Sequence, residues 1–198
     1  MSAEDAPLHA GFDPQLRVDW LGPAEFGDGR PGRLGLTILP GKHGTSVRYP
    51  GRVYRRDLGD DLGALRDLGV GILVLLVTDH ELVRWGDPTI VAHGREAGVE
   101  IVRHPIPDGS PPASVAAMDA IIERIGLGRG TGDVAVACMG GVGRTGTVAA
   151  CALVAAGHTA RAAIDRVRAV RHPTAVETAG QVAFVGHYER HIAEGDRP

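Results

Sequence analysis

Residues 133–156 read DVAVACMGGVGRTGTVAACALVAA, and two incompatible loops can be read into them. Gly141, Gly143 and Gly146 spell G-x-G-x-x-G, the turn that seats a dinucleotide pyrophosphate. Cys138 and Arg144, five residues between them, spell instead a nucleophile followed by an anion clamp. The dinucleotide reading needs an acidic residue about 20 positions on, at the end of a second strand. Asp165 stands near that distance, but Ile164, Val167 and Val170 recur around it at three-residue steps, which makes a helix. The fingerprint also ordinarily opens its domain, whereas here it follows the last strand the sequence offers. A nucleoside-triphosphate loop fails too, because the lysine that must reach the terminal phosphates is missing.

The cysteine reading uses every part of the stretch. A thiolate is a nucleophile and a thiol barely is, so a site built on Cys138 must lower an ordinary pKa of about 8.5. A loop between a buried strand and a helix N-terminus supplies converging backbone N–H groups and the positive end of a dipole. Those groups stabilise a thiolate and a bound phosphate alike. Glycine at 140, 141 and 143 lets the backbone curl around an anion. Arg144, in the first helical turn, offers a planar fork to two phosphate oxygens. Thr145 brings a hydroxyl beside the sulfur. Met139, Gly140, Gly141, Val142, Gly143 and Arg144 are thus the expected phosphate-binding loop.

Outward from this loop the chain alternates strand and helix. Leu16–Leu21 and Arg33–Leu39 are expected strands across a Gly/Pro-rich turn, and residues 40–56 an expected loop. Leu58, Leu62, Leu65 and Leu68 recur at helical spacing behind Asp57, a good N-cap. Val70–Val77 is a continuous apolar run, as in a parallel strand buried on both faces. Thr78 or Asp79 caps a short helix carrying Glu81, and Asp87-Pro88 opens another, with proline suited to its first position. Val99–Arg103 is a strand and His104–Pro112 a loop. Val115, Met118, Ile121, Ile122 and Ile125 make a helical stripe. Asp133–Ala137 is a strand, Arg144–Ala156 a buried helix, and Thr159–Val170 and 177–193 the last two helices. The pattern predicts a single α/β domain over residues 16–193, after a flexible lead-in at 1–15. Its central, mostly parallel sheet of about five strands carries helices on both faces.

Bulk properties exclude several classes. The 198 residues suffice for one domain with a substantial core. A net charge of −3, from 21 basic and 24 acidic residues, gives no electrostatic case for nucleic acid or an anionic membrane. Two cysteines imply no disulfide framework, and the N-terminus lacks a signal-peptide pattern, so a cytoplasmic location is expected. Cys151 lies seven residues past Arg144, about 10 Å along a helix, and is expected to pack in the core. His187 and His191 stand four apart on one helix, but no third ligand accompanies them. No metal and no cofactor are expected. Lys42 is the only lysine of the chain.

The stretch V-A-C-M-G-G-V-G-R-T-G resembles the signature of the protein tyrosine and dual-specificity phosphatase superfamily. The likeness is strongest to the cyclin-dependent-kinase-associated phosphatase group. It extends over LPG at 39–41, T-D-H-E-L at 78–82, H-P-I-P-D-G-S-P-P at 104–112 and the tail R-A-V-R…V-E-T-A-G-Q, roughly residues 16–190. The resemblance implies the cysteine-phosphatase fold and hydrolysis of a phosphomonoester through a phosphocysteine intermediate. Cys138 is then the nucleophile, Arg144 the phosphoryl clamp and Asp108, in a loop after a strand, the general acid. Thr145 helps the thiolate depart, Glu81 pairs with Arg144, and Gln181 loosely matches a water-orienting glutamine. The sequence departs from the pattern at Ala137, where relatives carry histidine, which predicts a thiolate pKa higher than is usual for the family. Met139 and Val142 are apolar where lipid phosphatases of this kind place lysines. The expected substrate is therefore a phosphoprotein or phosphopeptide bearing phosphotyrosine, with phosphoserine or phosphothreonine also admitted. The alternative is a catalytically weak phosphate-binding module that docks phosphoproteins.

Overall fold

The structure, a computed structural model, describes residues 15–46 and 51–195. All but the last residue of the expected lead-in at 1–15 lies outside them. In chain order the elements are β1 (Val18–Leu21), a 3₁₀ turn (Pro23–Glu25), β2 (Leu34–Ile38), β3 (His43–Thr45), β4 (Val53–Arg55), α1 (Leu58–Asp67) and β5 (Val70–Leu75). There follow α2 (Asp79–Trp85), α3 (Ile90–Ala97), β6 (Glu100–Arg103), α4 (Val115–Arg129), β7 (Asp133–Cys138), α5 (Gly143–Ala155), α6 (Ala160–Val170) and α7 (Ala179–Gly195). The main sheet has strand order β1-β2-β7-β5-β6. β2, β7, β5 and β6 run parallel, and β1 closes one edge antiparallel to β2.

Period-2 alternation along the central strands divides the core in two. Val134, Val136 and Cys138 of β7 face one cluster with Ile72, Val74 and Leu76, and Ala135 and Ala137 face the other with Leu73, Leu75 and Val77. The first cluster lies under α4, α5, α6 and α7, and the second under α1 and α3. Helix α5 packs against β7, α4, α6 and α7 at once. That enclosure explains why its sequence is apolar on every side; burial runs unbroken from Gly143 to Val154. Among the described residues no helix is long and apolar enough to cross a membrane.

Two expectations need correction. Residues 40–56 are not simply a loop: β3 and β4 pair antiparallel as a two-stranded ribbon. Each strand is three residues long, one contains Gly44, and only Tyr54 is buried, so no alternating signal announces it. Helix α3 begins at Ile90, with Thr89 as N-cap, so Pro88 precedes the helix. The Asp87 carboxylate accepts from the amide and hydroxyl of Thr89, and that turn supplies the entry instead.

Candidate active site

The loop between β7 and α5 forms a ring of amides because its carbonyls are held outward. Met139 O accepts from Lys42 Nζ at 3.1 Å. Arg171, which caps the end of α6, donates from Nε to Gly141 O at 2.9 Å and from Nη2 to Gly140 O at 3.3 Å. Its Nη1 is itself anchored on Asp19 at 2.7 Å. Val142 O accepts from the amides of Gly146 and Val176, and Gly143 O from the Thr147 hydroxyl. With five successive carbonyls engaged on the outside, the peptide planes turn their N–H groups inward. Such a set of fixed partial charges, completed by the N-terminus of α5, is chemically suited to an anion. Gly141 has φ 67°, and a Cβ there would run into the Thr37 carbonyl and the Arg171 guanidinium. Only glycine lets the loop pass so close to its supports.

Cys138 is the last residue of β7 and is 3% exposed. Burial pushes its thiol pKa up, but the opposing effects win. The Arg144 charge, the Thr145 hydroxyl, and the amides of Thr145 and Gly140 hold it below the ordinary thiol value. Ala137, one residue earlier, is fully buried on the opposite face of the sheet. By contrast, burial and the Asp119 charge push the Cys151 thiol far up, and Cys151 packs in the core beneath α4 and α7.

Arg144 is 1% exposed and held on two edges. Glu81 takes Nη1 on Oε2 at 2.8 Å and Nη2 on Oε1 at 2.6 Å, a bidentate pair. Ile106 O accepts a second bond from Nη1 at 2.8 Å. Glu81 itself is fixed by a capping box at the start of α2, where its Oε2 accepts from the Thr78 amide at 2.9 Å. Burial raises the Glu81 carboxyl, yet the Arg144 and Thr78 bonds outweigh it and hold the group ionised below its usual range. Arg144 Nε and Thr145 Oγ1 are buried with no hydrogen-bond partner, although the threonine hydroxyl is near enough to the sulfur to favour its anion. A native protein rarely leaves buried donors orphaned. Both are suited to a ligand oxygen or the sulfur.

Asp108 sits in the loop after β6, 80% exposed, with Oδ1 2.9 Å from Arg144 Nη2. This loop is moored at both ends. The Ile106 amide donates to Leu76 O, while Gly109 O and Ser110 O accept from the Thr178 hydroxyl and Gln181 Nε2. Gln181 is buried beside Gly143, but its amide is already committed. Oε1 takes the amides of Glu177 and Thr178, and Nε2 takes Ser110 O. Its geometry is that of a strut between the C-terminal turn and the Asp108 loop.

Three contributors escape a reading of the sequence. Lys42 is 7% exposed and its Nζ lies 3.8 Å from the centroid of the Tyr54 ring. Arg171 shapes the loop from behind. Glu177 stands where a Cβ on Gly143 would collide with its carboxylate, so Gly143 keeps the helix N-terminus clear. Val176, just before Glu177, has φ 60°, a strained setting for a β-branched residue. It is maintained by the bond to Val142 O and by burial. His187 and His191 lie on α7, and His191 Nε2 is 3.3 Å from Asp119. Among the described residues no group of three metal-ligating side chains forms.

Residues 52–188 match the family model described as the Swiss Army Knife protein DSP-PTPase phosphatase domain. The chain belongs to that family. It is an enzyme of the tyrosine and dual-specificity phosphatase kind, with the single mixed α/β domain and parallel central sheet of that fold. The chain is 28% identical over 193 residues to cyclin-dependent kinase inhibitor 3 of Sus scrofa, covering 96% of this chain and 82% of the relative. Against the Homo sapiens protein of the same name the identity is 25% over 194 residues, covering 97% and 87%. Among solved structures it resembles kinase-associated phosphatase carrying serine for its catalytic-site cysteine. That match has a TM-score of 0.78 at 25% identity and covers 90% of this chain and 97% of the other. The active form of Tk-PTP matches with a TM-score of 0.64 at 29% identity, covering 86% and 99%.

Proposed function

We propose that this phosphatase hydrolyses phosphotyrosine in proteins, and phosphoserine or phosphothreonine as well, through a phosphocysteine on Cys138. The observation that carries the reading is the Arg144 Nε donor. It is buried and unpartnered on a guanidinium whose other nitrogens are fixed, beside a ring of inward amides and a thiol biased toward its anion. A tetrahedral phosphoryl group meets all of these at once.

In the first step Cys138 Sγ attacks phosphorus as the ester P–O bond breaks, and Asp108 gives its proton to the leaving oxygen. Its resting contact with buried Arg144 is made from an exposed side chain, which is free to turn away into solvent. An incoming phosphate takes the guanidinium edge and turns the aspartate toward the leaving group. In the second step water attacks phosphorus, Asp108 takes its proton, and the S–P bond breaks with the Thr145 hydroxyl donating to the departing thiolate. Kinase-associated phosphatase among the relatives supports a phosphoprotein substrate. The apolar Met139 and Val142 fit a peptide better than a polyanionic lipid headgroup.

Hydrolysis of p-nitrophenyl phosphate and of a phosphotyrosine peptide by wild type, Cys138→Ser and Asp108→Ala tests this. Cys138→Ser is expected to be inactive, and Asp108→Ala to lose about 10²–10⁴-fold on the peptide. Equal rates for all three refute the enzyme reading. Tight peptide binding without turnover by wild type selects the docking module instead.

A further inference from the structure

We propose that Lys42 is the positioning cation of this site: from behind the loop its ammonium holds Cys138 as a thiolate, the task left open at Ala137. This rests on Cys138 being the reactive thiol.

The placement is deliberate on every side. Lys42 lies in the turn between β2 and β3, at the same sheet end as Cys138, since Ile38 of β2 pairs with Cys138 of β7. Gly41, just before it, donates its amide to buried Asp61 at 2.9 Å, and Asp61 is locked by Arg56. The Arg56 amide in turn donates to Lys42 O at 3.0 Å. The backbone is therefore pinned and the side chain has one direction to go. It passes over the face of Tyr54 and ends on the carbonyl of Met139, the residue after the nucleophile.

A buried ammonium requires a counter-charge. A carbonyl and a ring face solvate it but carry no net charge, and among the described residues no carboxylate lies within ion-pair distance of it. The groups whose charge it feels are the Cys138 sulfur and Asp108, both favouring its protonated form, and Arg52, which opposes it. Burial is the largest influence and holds its pKa down at about 8. The thiolate is thus the natural partner of Lys42, as well as of Arg144. Stabilisation is reciprocal: what keeps the ammonium protonated in the interior keeps the sulfur deprotonated.

Lys42 is charged below about pH 8, and its support of the thiolate is lost as pH rises through that value. A thiolate formed at lower pH survives that loss, so the contribution of Lys42 is read on the acid side, where Cys138 takes up its proton. Arginine at this position stays charged throughout.

Iodoacetate inactivation, titrated against pH, reads the thiolate directly and needs no phosphatase turnover. Lys42→Met is expected to raise the midpoint by about one pH unit, the effect of removing a near opposite charge. Lys42→Arg is expected to restore most of that shift. An unchanged midpoint in Lys42→Met overturns the proposal, and so does a midpoint in Lys42→Arg as high as in Lys42→Met. Should Lys42→Met fail to fold, Lys42→Gln, which keeps a donor without the charge, is expected to show the same rise, and its absence overturns the proposal. If wild type hydrolyses no phosphate ester yet the midpoint still moves, the phosphatase mechanism falls and the role of Lys42 stands.

Discussion

Glu81 and Arg144 lie 63 positions apart and meet through two bonds within a shell that excludes water. The pair does two things. It fixes the guanidinium while leaving Nε without a partner, and it neutralises a buried charge that would otherwise be costly. Glu81→Gln keeps the shape but loses the charge and one acceptor. We expect kcat/KM to fall about 10²-fold, the scale of a misplaced catalytic group. Folding stability should fall by about 3 kcal/mol, as for a broken buried pair. The pH dependence separates this from simple loss of packing. Because the Glu81 carboxyl titrates below its usual range in the folded protein, its stabilisation is complete above the ordinary glutamate value of about 4.3. It disappears as pH falls through the lowered value, where the folded state must take up the proton. Wild-type melting temperature should therefore drop more steeply under acid than that of Glu81→Gln, and thermal unfolding from pH 7 down to 3 measures it. Identical slopes would remove Glu81 as an acid-sensitive anchor.

At the scale of elements, the loop proposed to hold phosphate is shaped by helices and turns far from it in sequence. Arg171 leaves the end of α6 and grips two loop carbonyls, so its value lies in orienting Gly140 and Gly141. Arg171→Met should leave Cys138 and Arg144 in place but let those peptide planes tilt. We expect kcat/KM to fall about tenfold or more, short of the 10²–10³ that follows removal of an oxyanion donor itself. Inhibition by inorganic phosphate should weaken in parallel, and a competition assay reads both. This division also explains what the sequence made legible. Cys138, Arg144 and Thr145 share one strand–loop–helix whose spacing is local. Helix starts at Asp57, Thr78 and Thr159 are likewise local, each side chain accepting an amide three residues on. Arg171 and Lys42 reach the loop across 30 and 97 positions, and no periodicity encodes such a contact. The β3–β4 ribbon was hidden for a different reason. Two three-residue strands with one buried side chain between them leave no alternating pattern to detect.

Over the whole molecule, the parallel strands β2, β5, β6 and β7 end at the same side of the sheet. Lys42 and Asp108 on the loops after β2 and β6, Glu81 in α2 after β5 and Cys138 at the end of β7 thus come together. The C-terminal turn before α7 then closes the arrangement through Gln181, whose amide joins residues 177 and 178 to Ser110 in the Asp108 loop. Gln181→Ala would leave two amides and a carbonyl without partners and free one mooring of Asp108. Stability should fall by about 1–3 kcal/mol, the cost of unsatisfied buried polar groups. The kinetic effect should depend on the leaving group. Phenyl phosphate needs its leaving oxygen protonated, whereas p-nitrophenyl phosphate departs readily without help, so loosening Asp108 lowers kcat/KM, which reports formation of the phosphocysteine, for the first and largely spares it for the second. A role for Gln181 in placing the hydrolytic water would act on breakdown of the phosphocysteine, a step common to both esters, and would slow them equally wherever that step limits turnover. Comparing kcat/KM and burst amplitude for the two substrates in Gln181→Ala therefore separates a strut for the Asp108 loop from a water-orienting amide. A kcat/KM loss confined to phenyl phosphate supports the strut, and unchanged kcat/KM for both esters with an accumulated intermediate refutes it.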